Sequence, residues 1–324
     1  MPAPEPSGKL CDISPFPIGT VIKFPNIQNN TVYRSRAVEQ FSCFTPEKSL
    51  KASFIQPQEG VFSWTESDGF VDLALQHKKK IHGHTLIWDH ELPEWMLQKS
   101  NQQALLCSHI SNLVQRYRSK IGSWDVVNEA FTEEGAVKQG AWFRVAGPDY
   151  IRQAFACAAA ADPAALLFYN DFDLETNPVK RKAVLNYLND LRNQGIKVDG
   201  IGLQMHLNIS SARPAEFAEV FEDISREGYL VHISELDISV IPFEGEVSGK
   251  EELFMKQAKI LQFLVEAYLH VPPPQRFGIT FWGVGDADSW LALDLNRVDF
   301  PLLFDENYLP KPAWYGLYDL LRGI

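Results

Sequence analysis

The sequence predicts an α/β fold, a single-domain (β/α)8 TIM barrel. Apolar runs of strand length alternate with longer segments of helical period, the pattern of repeated βα units on a parallel sheet. Eight such runs occur with no linker between them. No glycine-rich phosphate loop follows an early strand, which disfavours a doubly wound open sheet. At 324 residues the chain exceeds the usual single domain, but one barrel with loop insertions accommodates it.

The expected strands lie near 18–22, 40–44, 81–87, 123–128, 165–170, 199–206, 230–237 and 277–282. Between them, Asn101 opens a helix with Leu105, Leu106, Ile110, Leu113, Val114 and Tyr117 inward, and Gly122 closes it. Thr176 and Asn177 precede Pro178, Val184, Leu185, Leu188 and Leu191 follow at helical spacing, and Gly195 ends the segment. A third long helix, about 250–269, is apolar at Leu253, Phe254, Leu261, Leu264 and Tyr268.

Composition bounds the function. A formal charge of −11 argues against nucleic acid and anionic membranes, which reward a basic face, and leaves a neutral polymer as a compatible partner. No apolar run reaches the roughly 18 to 20 residues that spanning a bilayer requires. Cys11, Cys43, Cys107 and Cys157 are too scattered for a zinc motif or disulfide scaffold and are expected as unpaired, mostly buried thiols. Residues 1–12 read as an N-terminal extension and 13–324 as the catalytic body. The start has neither a basic n-region nor an apolar h-region, so a secreted or periplasmic chain lacking its signal peptide and a cytoplasmic one both stay open.

Two acidic segments end apolar runs: Trp124-Asp125-Val126-Val127-Asn128-Glu129 and Ile233-Ser234-Glu235-Leu236-Asp237. A carboxylate at the mouth of a buried strand is costly unless a partner or a reaction needs it. In isolation an Asn-Glu pair is more often part of a structural hydrogen-bond network than a site. Two such acids at strand ends fit glycoside cleavage, in which one carboxyl group protonates the leaving oxygen and the other attacks the sugar or activates water. Alternation puts Glu235 and Asp237 on one face, so their charges need a compensating partner, and His206 at the end of the sixth run, sharing a face with Gln204, is placed to supply it. His82 and His84 raise a metal-site alternative, outweighed because the other strand-end groups are amides and glutamates suited to sugar hydroxyls. Trp88, Trp282 and Trp290 fall at strand ends, where an indole matches the apolar face of a pyranose; Trp64, Trp142 and Trp314 read as packing residues.

Together these segments resemble the family 10 glycoside hydrolases, whose commonest activity is endo-1,4-β-xylanase. The matching segments are Gly83-His84-Thr85-Leu86 through Trp88 with Leu92-Pro93-Glu94-Trp95, Trp124 to Glu129, Tyr169-Asn170-Asp171, Gly200 to His206, Ser234 to Ile238, Trp282 to Trp290 and Pro301 to Asp305, in family order. The resemblance implies that Glu129 is the general acid/base and Glu235 the nucleophile of a retaining reaction, with the carboxyl groups about 5 to 5.5 Å apart. It further implies that Asn128 binds the sugar 2-hydroxyl, that His206 hydrogen-bonds the nucleophile and Asp237 orients the histidine, and that His84, Trp88, Gln204, Trp282 and Trp290 line the −1 site. The expected partner is xylan or a xylo-oligosaccharide, acted on by a monomer without metal or cofactor. A catalytically weakened carbohydrate-binding relative is the alternative, against which the retention of both glutamates, Asn128 and His206 speaks.

The departures cluster around the −2 site. Family members usually carry Glu-Asn-x-x-Lys-Trp where this chain has Glu47-Lys48-Ser49-Leu50-Lys51-Ala52, and Gln where it has Glu91. Asn and Gln both donate and accept, whereas Lys only donates and ionised Glu only accepts. Lys48 and Glu91 are therefore expected to pair with each other and displace the usual sugar contacts.

Overall fold

The computed structural model describes residues 8–241, 249–293 and 297–324. Residues 1–7 of the expected N-terminal extension lie outside them; residues Leu10–Ile13 form a short helix with Leu10 buried. The chain falls into two compact units, one of residues up to Phe44 with Gln204–Ser225 and Val231–Ile324, the other of Thr45–Leu203 with Arg226–Leu230.

Ten strands occur among the described residues: β1 (Ile18–Ile22), β2 (Cys43–Pro46), β3 (Lys80–Gly83), β4 (Ile87–Trp88), β5 (Ser123–Asn128), β6 (Leu166–Asp171), β7 (Gly200–Leu203), β8 (His206–Asn208), β9 (Leu230–Ser239) and β10 (Arg276–Phe281). They are the eight expected runs, with the third divided into β3 and β4 and the sixth into β7 and β8. The first division reflects where Thr85 and Leu86 send their donors: Thr85 Oγ1 and the Leu86 amide both bond the Asp125 carbonyl, each at 2.9 Å. The second falls at Met205, whose φ of 58° interrupts the extended chain.

In the second unit β3, β5, β6 and β7 run parallel, and β4 continues along β5 with Ile87 opposite Val127 and Trp88 opposite Asn128. All six residues of β5 are buried, as expected of a parallel strand covered on both faces. Trp124 packs so closely over Gly83 that a Cβ there would lie 2.2 Å from the indole, which is why this position takes no side chain. In the first unit β1 and β9 both pair with β10, and β8 pairs with β9.

The helix over Pro178–Asn193 starts as expected: the Asn177 side chain accepts from the Lys180 amide at 3.0 Å, Pro178 holds the first turn, and Gly195 at φ 80° lets the chain turn away. The helix expected from Asn101 begins at Gln103 instead: Asn101 sits at φ 53°, outside the right-handed helical region, and the Asn101 and Gln102 amides bond the Arg144 and Val145 carbonyls. Cys107 and Cys157 form a disulfide between that helix (Gln103–Arg116) and the helix Tyr150–Ala161, correcting the expectation of unpaired thiols for these two; Cys11 and Cys43 take no part in a disulfide among the described residues. The pairing escapes a reading of spacing because it joins turns of two helices 50 residues apart. Trp142 and Trp314 are fully buried, while half-buried Trp64 is stacked on Phe62 with the Arg116 guanidinium 4.5 Å over its ring. No described helix is long and apolar enough to cross a membrane.

Candidate functional site

In the second unit the ends of β3 to β6 converge on polar groups. Asn128 and Asn170 are opposite each other on β5 and β6, and the Asn170 amide donates to Asn128 Oδ1 at 2.9 Å. This fixes which end of the Asn128 amide is the donor, and that end reaches Glu129 Oε1 at 3.2 Å. Glu129 leaves the strand at φ 58°, a left-handed conformation unusual for a residue with a Cβ, and its own amide bonds the Asn170 carbonyl at 2.9 Å. That turn brings its half-buried carboxyl group alongside Asn128 instead of continuing the strand alternation.

Asp125, to which the sequence reading assigned no role, organises the histidines. His84 Nδ1 donates to its Oδ2 at 2.9 Å, and His82 Nε2 lies 3.0 Å from its Oδ1. Burial alone would raise the Asp125 pKa, but the two histidines more than offset it and hold the carboxyl well below the usual range. His82 Nδ1 is further engaged by Ser123 Oγ at 2.8 Å. The two histidines thus share one carboxylate, and among the described residues no group of three or more His, Cys, Asp or Glu is arranged to hold a metal ion. The signal available in the sequence was the alternation placing Ser123 and Asp125 on one face of the strand, beside the strand that carries His82.

Trp88 lies under the Lys51 ammonium, 4.5 Å above its ring, a cation–π contact. Lys51 and Glu47 are both buried, an unusual setting for charged side chains. The expected pair between Lys48 and Glu91 does not form. Glu91, at φ 56°, accepts from Ser53 Oγ at 3.2 Å and from the Ser53 amide through its carbonyl at 2.9 Å. Lys48 is exposed and makes no ion pair among the described residues.

In the first unit, β8 places His206 directly opposite Asp237 on β9. His206 Nδ1 donates to Asp237 Oδ2 at 2.9 Å, while its Nε2 faces Glu235 Oε2 at 3.4 Å. Burial would lower the His206 pKa, but Asp237 and then Glu235 outweigh it and push it well above the ordinary value, so the ring is an imidazolium near neutral pH. The like charges of Glu235 and Asp237 are thereby bridged by one cation, as the alternation implied. Trp290 Nε1 also donates to Asp237 Oδ2, at 2.8 Å, and the Trp290 and Trp282 rings lie 5.2 and 6.4 Å from the imidazole. Buried Gln204 offers its carbonyl to the Glu235 amide at 3.1 Å, tying the kink before β8 to the acid.

The chain matches the model of Glycosyl hydrolase family 10 over residues 11–320. It is 32% identical to the endo-1,4-beta-xylanase B of Thermotoga neapolitana, over 90% of this chain and 83% of that protein. It is also 32% identical to the endo-1,4-beta-xylanase A of Thermoanaerobacterium saccharolyticum, over 95% of this chain but only 27% of that protein's length. Among solved structures it superposes on xylanase 10B of Thermotoga petrophila RKU-1 in complex with xylobiose, with a TM-score of 0.91 and 30% identity over 99% of each chain. The fold class is the (β/α)8 barrel.

Proposed function

Because the chain belongs to glycosyl hydrolase family 10, we propose that it is a retaining endo-1,4-β-xylanase acting on xylan or xylo-oligosaccharides. In this reading residues 13–324 are the catalytic body and act as a monomer. Glu235 attacks the anomeric carbon while Glu129 protonates the departing glycosidic oxygen; Glu129 then takes a proton from the water that displaces Glu235 from the sugar. The observation that carries the proposal is the placement of His206, held at Nδ1 by Asp237 and with Nε2 aimed at Glu235, since a nucleophilic carboxylate is served by a partner that stabilises its charge and does not itself react.

The remaining residues take supporting roles. Asn128, with its amide oriented by Asn170, is suited to the sugar 2-hydroxyl, and His84, Trp88, Gln204, Trp282 and Trp290 line the −1 site. The test is Glu235→Ala assayed with an activated aryl β-xylobioside: loss of nearly all activity supports the assignment, and an unchanged rate rejects it.

The chemistry is retained in this reading while the −2 site is remodelled. Exposed Lys48 and a Glu91 committed to Ser53 stand where amides are usual, and buried Ala52 replaces an indole. Binding of an unsubstituted xylose at −2 is then weakened, or another glycone favoured. Rates on a ladder of xylo-oligosaccharides address this, and a steep gain on filling −2 contradicts it. The disulfide supports an oxidising compartment, hence a secreted or periplasmic setting in preference to the cytoplasm.

A further inference from the structure

Glu129 sits at φ 58°, a backbone conformation that a side-chain-bearing residue rarely adopts unless its surroundings hold it there. Two consecutive amides are held there from the end of β6. The Glu129 N–H bonds the Asn170 carbonyl, and the next N–H, that of Ala130, bonds the Tyr169 hydroxyl at 3.0 Å. Together they clamp the chain on both sides of the Glu129 Cα.

The Tyr169 hydroxyl can accept from Ala130 because its own proton goes to Asp171 Oδ2. Asp171 is fully buried and is held from the other side by Lys180, whose Nζ donates to Oδ1 at 2.7 Å and to the Phe172 carbonyl at 2.9 Å. Lys180 is itself fully buried in the first turn of the helix Pro178–Asn193, an unfavourable end for a cation because the helix dipole is positive there. A buried lysine in that place calls for a reason beyond helix stability. The same helix start grips the loop that follows Glu129, through Asn177 Nδ2 to the Glu133 carbonyl at 2.9 Å.

We propose that Lys180, Asp171 and Tyr169 form a positioning relay that fixes the main chain at Glu129 and so sets where its carboxyl group meets the glycosidic oxygen. The relay rests on the assignment of Glu129 as acid/base. None of the three is a catalytic residue; they act through the Ala130 amide. Removing the Tyr169 hydroxyl unclamps one side of Glu129, and the reaction should suffer only in steps that need its proton.

The test compares wild type, Tyr169→Phe and Glu129→Ala on phenyl and 2,4-dinitrophenyl β-xylobiosides, with and without azide. A dinitrophenolate leaves without protonation, whereas phenolate needs it. Tyr169→Phe is expected to lose about 10- to 100-fold in kcat on the phenyl substrate, with KM retained. Its kcat/KM on the dinitrophenyl substrate is expected to stay within about twofold of wild type, and azide should speed its turnover. The double variant Asp171→Asn with Lys180→Gln removes both buried charges together and should show the same selectivity, so that a folding defect in one variant leaves the other to decide. Equal losses on both substrates, or on neither, while Glu129→Ala stays leaving-group-selective, overturn the relay. A Glu129→Ala variant without that selectivity overturns the role of Glu129 itself.

Discussion

His206 and Asp237 lie directly opposite each other on parallel strands, with Nδ1 and Oδ2 2.9 Å apart, so strand register alone delivers the histidine's counter-ion. This makes the charge of His206 a property of Asp237. Replacing Asp237 with Asn removes a charge-assisted hydrogen bond of about 1.5 to 3 kcal/mol, which as a full loss of transition-state stabilisation converts to about a 10- to 150-fold loss in kcat/KM. The alkaline limb of the pH–rate profile should move toward lower pH, because the imidazolium loses its main stabilising charge. A profile of unchanged shape would show that His206 does not act as a cation.

The same linkage governs stability. The folded-state pKa of His206 is raised above the unfolded value near 6.5, so the folded state holds the proton more tightly. Its contribution is therefore complete below about pH 6.5 and is lost as pH rises through the folded pKa. Melting curves of wild type and Asp237→Asn across that range should converge toward the alkaline end.

Asp125 is the buried charge shared by His82 and His84. Asp125→Ala leaves the His84 Nδ1 donor without its buried acceptor and should destabilise the protein by about 1 to 3 kcal/mol, read as a lower denaturant midpoint. KM should rise as well, since His84 loses the bond that orients it.

The legibility of this protein in its sequence divides along a physical line. The strand-end placement of Glu129, Glu235, His206 and Asp237 is legible because each is announced locally, by an apolar run that ends in polar residues or by alternation along one strand. The role of Asp125 is not, because it arises from pairing between β3 and β5, segments whose register no local pattern specifies. Tyr169, Asp171 and Lys180 fall to the same limit: their relation depends on a helix folding back onto its preceding strand. The expected pairing of Lys48 with Glu91 rested on complementary charge alone, which does not specify geometry; Glu91 instead accepts from Ser53.

The disulfide offers a prediction independent of catalysis. Cys107 and Cys157 enclose a loop of 50 residues, for which the chain-entropy account gives about 4 kcal/mol. Reduction, or Cys107→Ser with Cys157→Ser, should lower the denaturant midpoint accordingly while leaving kcat/KM on xylo-oligosaccharides unchanged. A stability indifferent to reductant would show that the bridge contributes nothing to the folded state.

In the proposed reaction Glu235 carries the sugar through a covalent intermediate. Incubation with a 2-deoxy-2-fluoro-β-xylobiosyl fluoride, followed by mass spectrometry of the digested protein, measures this directly. One added fluoroxylobiosyl group is expected, on the peptide that contains Ser234 to Ile238 and at Glu235. A label on any other carboxylate, or steady turnover that yields the α-anomer first, would contradict it.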